Sequence, residues 1–171
     1  LDRSSAASDV YKRQLVIRTY DFGEADRIIV LLTRNHGLVR GVAKGVRRAK
    51  SRFGSRLQLF VNLDVQLYPG RNLYTISQAD TVDYFGARII EDYDRYTAAC
   101  AALESAERLA AADAPGDPYL YDACVKVLDQ LQHGDPLVLL DSFLLQAMSH
   151  AGWAPSLFDC AQCQRLSLIH I

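Results

Sequence analysis

The chain has 171 residues, half of them apolar and 23% charged, with a formal net charge of −1. That is ordinary globular composition, long enough for one domain or two small ones with a real core. Four cysteines without dense spacing exclude a secreted disulfide scaffold. The longest apolar run, PLVLLDSFLLQAMSHAG, is broken by Asp141 and Gln146, short of the ~18 residues a membrane helix needs. No secretory leader is visible, and the expected compartment is the cytoplasm.

The small net charge hides an asymmetry. Residues 15–80 carry eleven Lys/Arg against five Asp/Glu, whereas residues 81–165 carry five against thirteen. Halves of opposite sign predict two units with different partners, the first suited to a polyanion.

Taken in order, the first half reads as five short strands: LVIRTY, RIIVLLT, GLVRGVAKG, RLQLFVNLDVQLY and NLYTISQA. The intervening DFGEAD, RNHG and PGRN carry turn chemistry. Leu57, Leu59, Val61 and Leu63 alternate onto one face, as do Val65 and Leu67. Five strands in about 65 residues suit a small closed barrel, which removes exposed edges. From residue 81 the period changes. Phe85, Ile89, Tyr93, Tyr96, Cys100, Leu103 and Ala106 recur at helical spacing and predict a first helix. YLYDACVKVLDQLQ and LVLLDSFLLQAMSHAG follow as a second and a third, the last ending near Gly152. Asp117-Pro118 and Asp135-Pro136 each put a capping residue before a proline at the first helical position. Three antiparallel helices make a bundle.

The strongest local signal is RGVAKGVRRAKSRFGSR. Arg40, Lys44, Arg47, Arg48, Lys50, Arg52 and Arg56 fall within seventeen positions without one acid. Glycines and serines make this a loop between strands whose backbone can approach phosphate, and Phe53 is a candidate for stacking on a base. On a small barrel, such a loop points to nucleic acid. Arg71 extends the candidate surface, as does Arg18; Tyr68 and Tyr74 read as half-buried strand residues. Glu24, Asp26 and Arg27 form an exposed turn with a local Asp/Arg pair rather than an acid–base couple. His36, His133 and His150 form no triad, no nucleophile sits in an elbow, and GVAKG lacks the phosphate-loop spacing. No catalytic residues are assigned, and the protein is read as a non-enzyme. Cys100 and Cys124 read as small core residues. Cys160-x-x-Cys163 has the spacing of half a tetrahedral zinc site, which alone leaves two positions open.

The termini answer one another. If DVYKRQ is encoded by GAT GTG TAT AAG AGA CAG, the reverse complement of that DNA translates as LSLIHI, the last six residues. One short DNA element in inverted orientation, similar to a transposase adapter, accounts for both. Residues 1–14 and 166–171 are therefore expected to be adapter-derived, with the natural start and C-terminal part missing and the barrel's first edge frayed.

GEADRIIVLLT, VAKGVRRAKSRFG and GWAPSLFDCAQC together resemble the bacterial RecO family of DNA repair proteins, over essentially all of residues 15–165. The resemblance implies an N-terminal OB barrel (15–80), a helical domain (81–158) and a zinc-binding module, here truncated to 159–165, that usually has two CxxC pairs. It implies a recombination mediator that binds single- and double-stranded DNA, anneals complementary strands, and works with RecR to help RecA replace single-strand-binding protein. Zinc is then expected in the intact protein and not in this chain. Two other readings fit parts of the sequence: a protein-docking adaptor acting through the helices, and an RNA-binding OB module.

Overall fold

The computed structural model describes residues 9–110, 115–160 and 163. Five strands, β1 (Asp9–Phe22), β2 (Asp26–Thr33), β3 (Gly37–Ala43), β4 (Val61–Tyr68) and β5 (Tyr74–Tyr84), close in the order β1-β2-β3-β5-β4. Neighbours are antiparallel except β3 and β5, which run parallel and touch through Gly41↔Tyr74 and Val42↔Thr75. This is the small closed barrel that the strand pattern predicts and the OB barrel that the resemblance implies. Gly41 lets the last seam close: a Cβ there would stand 2.8 Å from Cγ1 of Ile76.

Three strand boundaries differ from expectation. β1 begins at Asp9 and pairs with β4 from Asp9↔Leu67 onward, so its first residues are laddered rather than frayed. Ladder hydrogen bonds use backbone groups and are indifferent to the origin of the side chains. The Arg13 amide also donates to Asp64 (2.7 Å), and the Val65 amide donates to the Gln14 side chain (3.3 Å). β4 starts at Val61, not Arg56, because Phe60 takes a left-handed conformation (φ 66°) that a bulky residue adopts only at a break. β5 continues to Tyr84, past the expected boundary at Asp80, through Leu63↔Thr81 and Asn62↔Asp83.

The helical half differs at its start. Residues 81–84 are strand; a short α1 (Gly86–Ile89) follows, and α2 (Tyr93–Leu109) begins anew where the Asp92 carboxylate accepts from the Arg95 amide. Tyr93 and Tyr96, on the predicted apolar stripe, are exposed, and α2 instead buries Ala98, Ala99, Ala102, Leu103 and Ala106. Small residues on that face allow close helix approach. α3 (Pro118–Leu131) and α4 (Pro136–His150) start as predicted, with Asp117 and Asp135 each accepting two backbone amides and proline at the first position. Cys124 is fully buried and Cys100 half-buried, consistent with core roles.

Two apolar clusters explain the arrangement. Val16, Ile29, Leu31, Val39, Leu63, Val65, Leu67 and Ile76 fill the barrel interior. Leu15, Ile17, Val30, Leu32 and Phe60 face outward and join the buried faces of the helices in a second core. β2 is thus buried on both faces over its second half. Polar contacts stitch the same seam: the Tyr121 hydroxyl donates to Oδ1 of buried Asn62 (2.7 Å), Arg34 forks onto Asp122 (2.9 and 3.1 Å), and Arg18 meets Glu107 (2.9 Å). The opposite charges of the two halves are therefore partly spent on each other. Among the described residues no helix is long and apolar enough to cross a membrane.

Candidate nucleic-acid interface

The basic segment leaves β3 at Ala43 and returns at Val61. Its root is pinned to the β1–β2 turn: the Gly45 amide donates to the Asp26 carboxylate (2.7 Å) and the Arg47 amide to the Ala25 carbonyl (3.0 Å). Asp26 is thus a backbone acceptor; Arg27 pairs with Asp21 instead (2.9 Å). Successive tight turns follow, Arg48 to Gly45, Ser51 to Arg48, Gly54 to Ser51 and Arg56 to Phe53, at 3.0–3.3 Å. Gly45 and Gly54 supply the left-handed backbone (φ 67° and 54°) that such a path requires.

The turns sort the side chains. Lys44, Arg47, Arg48, Lys50, Arg52 and Arg56 are exposed or partly so, as are Arg40 on the outer face of β3 and Arg71 in the β4–β5 turn. Among the described residues no ion pair engages Arg40, Lys44, Arg48, Lys50, Arg52, Arg56 or Arg71. Arg47 lies 3.6 Å from Asp21, whose carboxyl is held below the usual range chiefly by the hydrogen bond from Arg27 and further by Arg47. Arg52 and Arg56 flank a cleft of about 300 Å³ that is floored by Ser77–Asp80 of β5.

Phe53 corrects the sequence reading. It is 2% exposed and belongs to the barrel core with Leu57, plugging the barrel end, while the Arg52 guanidinium lies 4.8 Å from its ring centroid. A ring in that position cannot stack on a base. Arg18 departs from expectation too: it is held by Glu107, with Glu104 at 3.9 Å, and its NH1 donates to the Tyr20 hydroxyl. That hydrogen bond, followed by the two carboxylates, raises its already high pKa. Tyr74 is half-buried as predicted, and Tyr68 is exposed.

Two aromatics escape the sequence reading. Tyr20 and Phe22 are 44% and 48% exposed on the outer face of β1. The alternation Arg18–Tyr20–Phe22 in RTYDF is the signal that could have found them. The register sets Tyr20 opposite Ile28, and Ile28 opposite Val42, so this face continues onto β3 between Arg40 and Lys44.

Cys160 and Cys163 lie beyond α4, and among the described residues no group of three or more His, Cys, Asp or Glu could hold a metal ion. The donors present are half a tetrahedral set, so they do not by themselves fit a structural zinc.

Recombination protein O N-terminal matches residues 9–85, and recombination protein O C-terminal matches residues 90–168. The two matches cover barrel and helices in chain order and reach into both segments read as adapter-derived. The chain belongs to the recombination protein O family, whose members mediate DNA recombination and repair.

Proposed function

We propose that the protein binds single- and double-stranded DNA through the basic surface of its barrel, anneals complementary strands, and with RecR assists RecA in replacing single-strand-binding protein. The observation that carries this reading is the row Lys44, Arg47, Arg48, Lys50, Arg52 and Arg56 on one pinned loop. Cations so placed release counterions from phosphate, a sequence-independent source of affinity. Screening two strands at once lowers the repulsion that opposes annealing. The protein acts by binding rather than turnover, in the cytoplasm. Cys160 and Cys163 serve as one half of a zinc site in the intact protein, and this chain retains no zinc.

The test is DNA binding by the 171-residue chain across a salt series, beside a variant with the six loop cations changed to Glu. Wild type should show a log–log salt slope of about −5 on duplex if all six neutralise phosphate, and the variant should not bind. Equal binding by both proteins overturns the site. A docking adaptor has one observation in its favour, the exposed Leu137, Val138, Trp153 and Phe158 on and beyond α4. DNA binding that survives charge reversal would turn attention there. Preference for structured RNA would favour an RNA-binding module.

A further inference from the structure

We propose that Tyr20 and Phe22 are the base-stacking residues of this barrel and that they select single-stranded over duplex DNA. The inference rests on the DNA-binding reading and names the part of the surface that holds bases rather than phosphates.

Three observations lead there. First, the aromatic pair lies just past the edge of the helical domain. Arg18, Val30 and Arg40 form one cross-strand row, with Val30 buried in the core shared with the helices and Arg18 tied to Glu107. The next row, Tyr20, Ile28 and Val42, is only partly covered, and Phe22 beyond it is open. Second, Tyr20 is held in place: Arg18 donates to its hydroxyl at 3.2 Å and lies 5.9 Å from its ring centroid. A ring fixed before binding loses less rotamer entropy when a base stacks on it. Third, charge surrounds the strip unevenly. Arg40 stands on β3 and Lys44 just past its end, whereas Glu24 is exposed in the turn after Phe22. Phosphates are therefore drawn to the β3 side, about two strand spacings, ~9.6 Å, from the rings. One nucleotide bridges that span from base to phosphate.

The spacing decides between single strand and duplex. Residues two apart on a strand are separated by ~6.7 Å, about twice the 3.4 Å rise per nucleotide of a stacked duplex strand. Neighbouring bases meet both rings only when the strand is extended and unstacked. The loop cations, from Arg47 beside Asp21 to Arg52 and Arg56 at β5, read phosphate in either form of DNA, so duplex binding continues without the rings.

The experiment compares the whole chain with Tyr20→Ala/Phe22→Ala and with Tyr20→Phe, on oligo(dT) and on a duplex of equal length at several salt concentrations. The double variant should lose about thirty-fold or more in affinity for oligo(dT), two stacked bases at the lower end of their usual contribution, keep its salt slope, and bind duplex as wild type does. Tyr20→Phe should stay close to wild type. In Phe22→Trp, oligo(dT) should quench the new indole, with the same protein carrying Trp153→Phe as the control for background emission. This readout holds even if the double alanine variant folds poorly. An unchanged oligo(dT) affinity, an equal loss on duplex, or an indole left unquenched in the Phe22→Trp protein overturns the proposal while leaving the basic-loop reading intact. A wild-type chain that binds no DNA overturns both.

Discussion

Replacing Phe53 by alanine separates a core residue from a DNA-contacting one. Phe53 is 2% exposed, packs in the barrel cluster with Leu57, and carries the Arg52 guanidinium 4.8 Å from its ring centroid. Truncating a buried phenylalanine costs about 3–5 kcal/mol, the spread reflecting how far the site can collapse. Here the side chain borders a solvent-facing cleft of about 300 Å³. Water and the glycine-flanked loop can enter the vacated space, which favours the lower end. Loss of the cation–π contact adds roughly 0.5–1 kcal/mol. The expected total is about 4 kcal/mol, or a fall in Tm of roughly 8–16 °C for a protein of this size. Phe53→Leu, which keeps most of the volume, should cost about 1–1.5 kcal/mol. Urea titration followed by circular dichroism measures both. DNA affinity, measured where each variant is folded, should match wild type. A variant with an unshifted urea midpoint and weakened DNA binding would show that the ring leaves the core to stack on bases.

Two further outcomes follow from the seam between barrel and helices. Tyr121→Phe strands the buried Oδ1 of Asn62, which accepts the tyrosine hydroxyl at 2.7 Å, and should cost about 1–3 kcal/mol in urea titration. Burial pushes the Tyr121 hydroxyl up to about 12, against about 10 in an unfolded chain. The unfolded state therefore gives up this proton first, and stability falls as pH rises from about 10 towards 12. That part of the alkaline decline should be missing in the phenylalanine variant. Cys124, also pushed up to about 12 by burial, contributes equally to both proteins. Separately, a Cβ on Gly116 would collide with the backbone of Asn35 and His36. Gly116→Ala should cost about 1–3 kcal/mol, and a variant as stable as wild type would mean that this contact does not form in solution.

What the sequence shows clearly is what local chemistry decides. Asp117-Pro118 and Asp135-Pro136 carry their capping geometry in adjacent residues, so α3 and α4 start where they read. The barrel strands announce themselves through β-branched runs and turn residues. The misjudged features depend on partners far along the chain. The Leu57–Leu63 alternation gives no sign that Phe60 turns left-handed, since its ring is drawn into the helical core beside Tyr96. Phe53 sits among cations in sequence, and only the barrel's open end explains its burial. Tyr93 and Tyr96 match a helical period, yet the faces of α2 are assigned by what β1 and the other helices present to it. The cationic loop itself was legible because charge without acid needs no tertiary partner to be recognised.

The shared core has a consequence for handling the molecule. Leu15, Ile17, Val30, Leu32 and Phe60 are outward-facing on the barrel and buried only because the helices lie on them. Cut after Tyr84, the barrel would carry a greasy flank broad enough to drive self-association. The barrel is therefore not a portable cassette. Grafting it onto another protein requires bringing the helices along, or repainting five side chains that the native chain never shows to water.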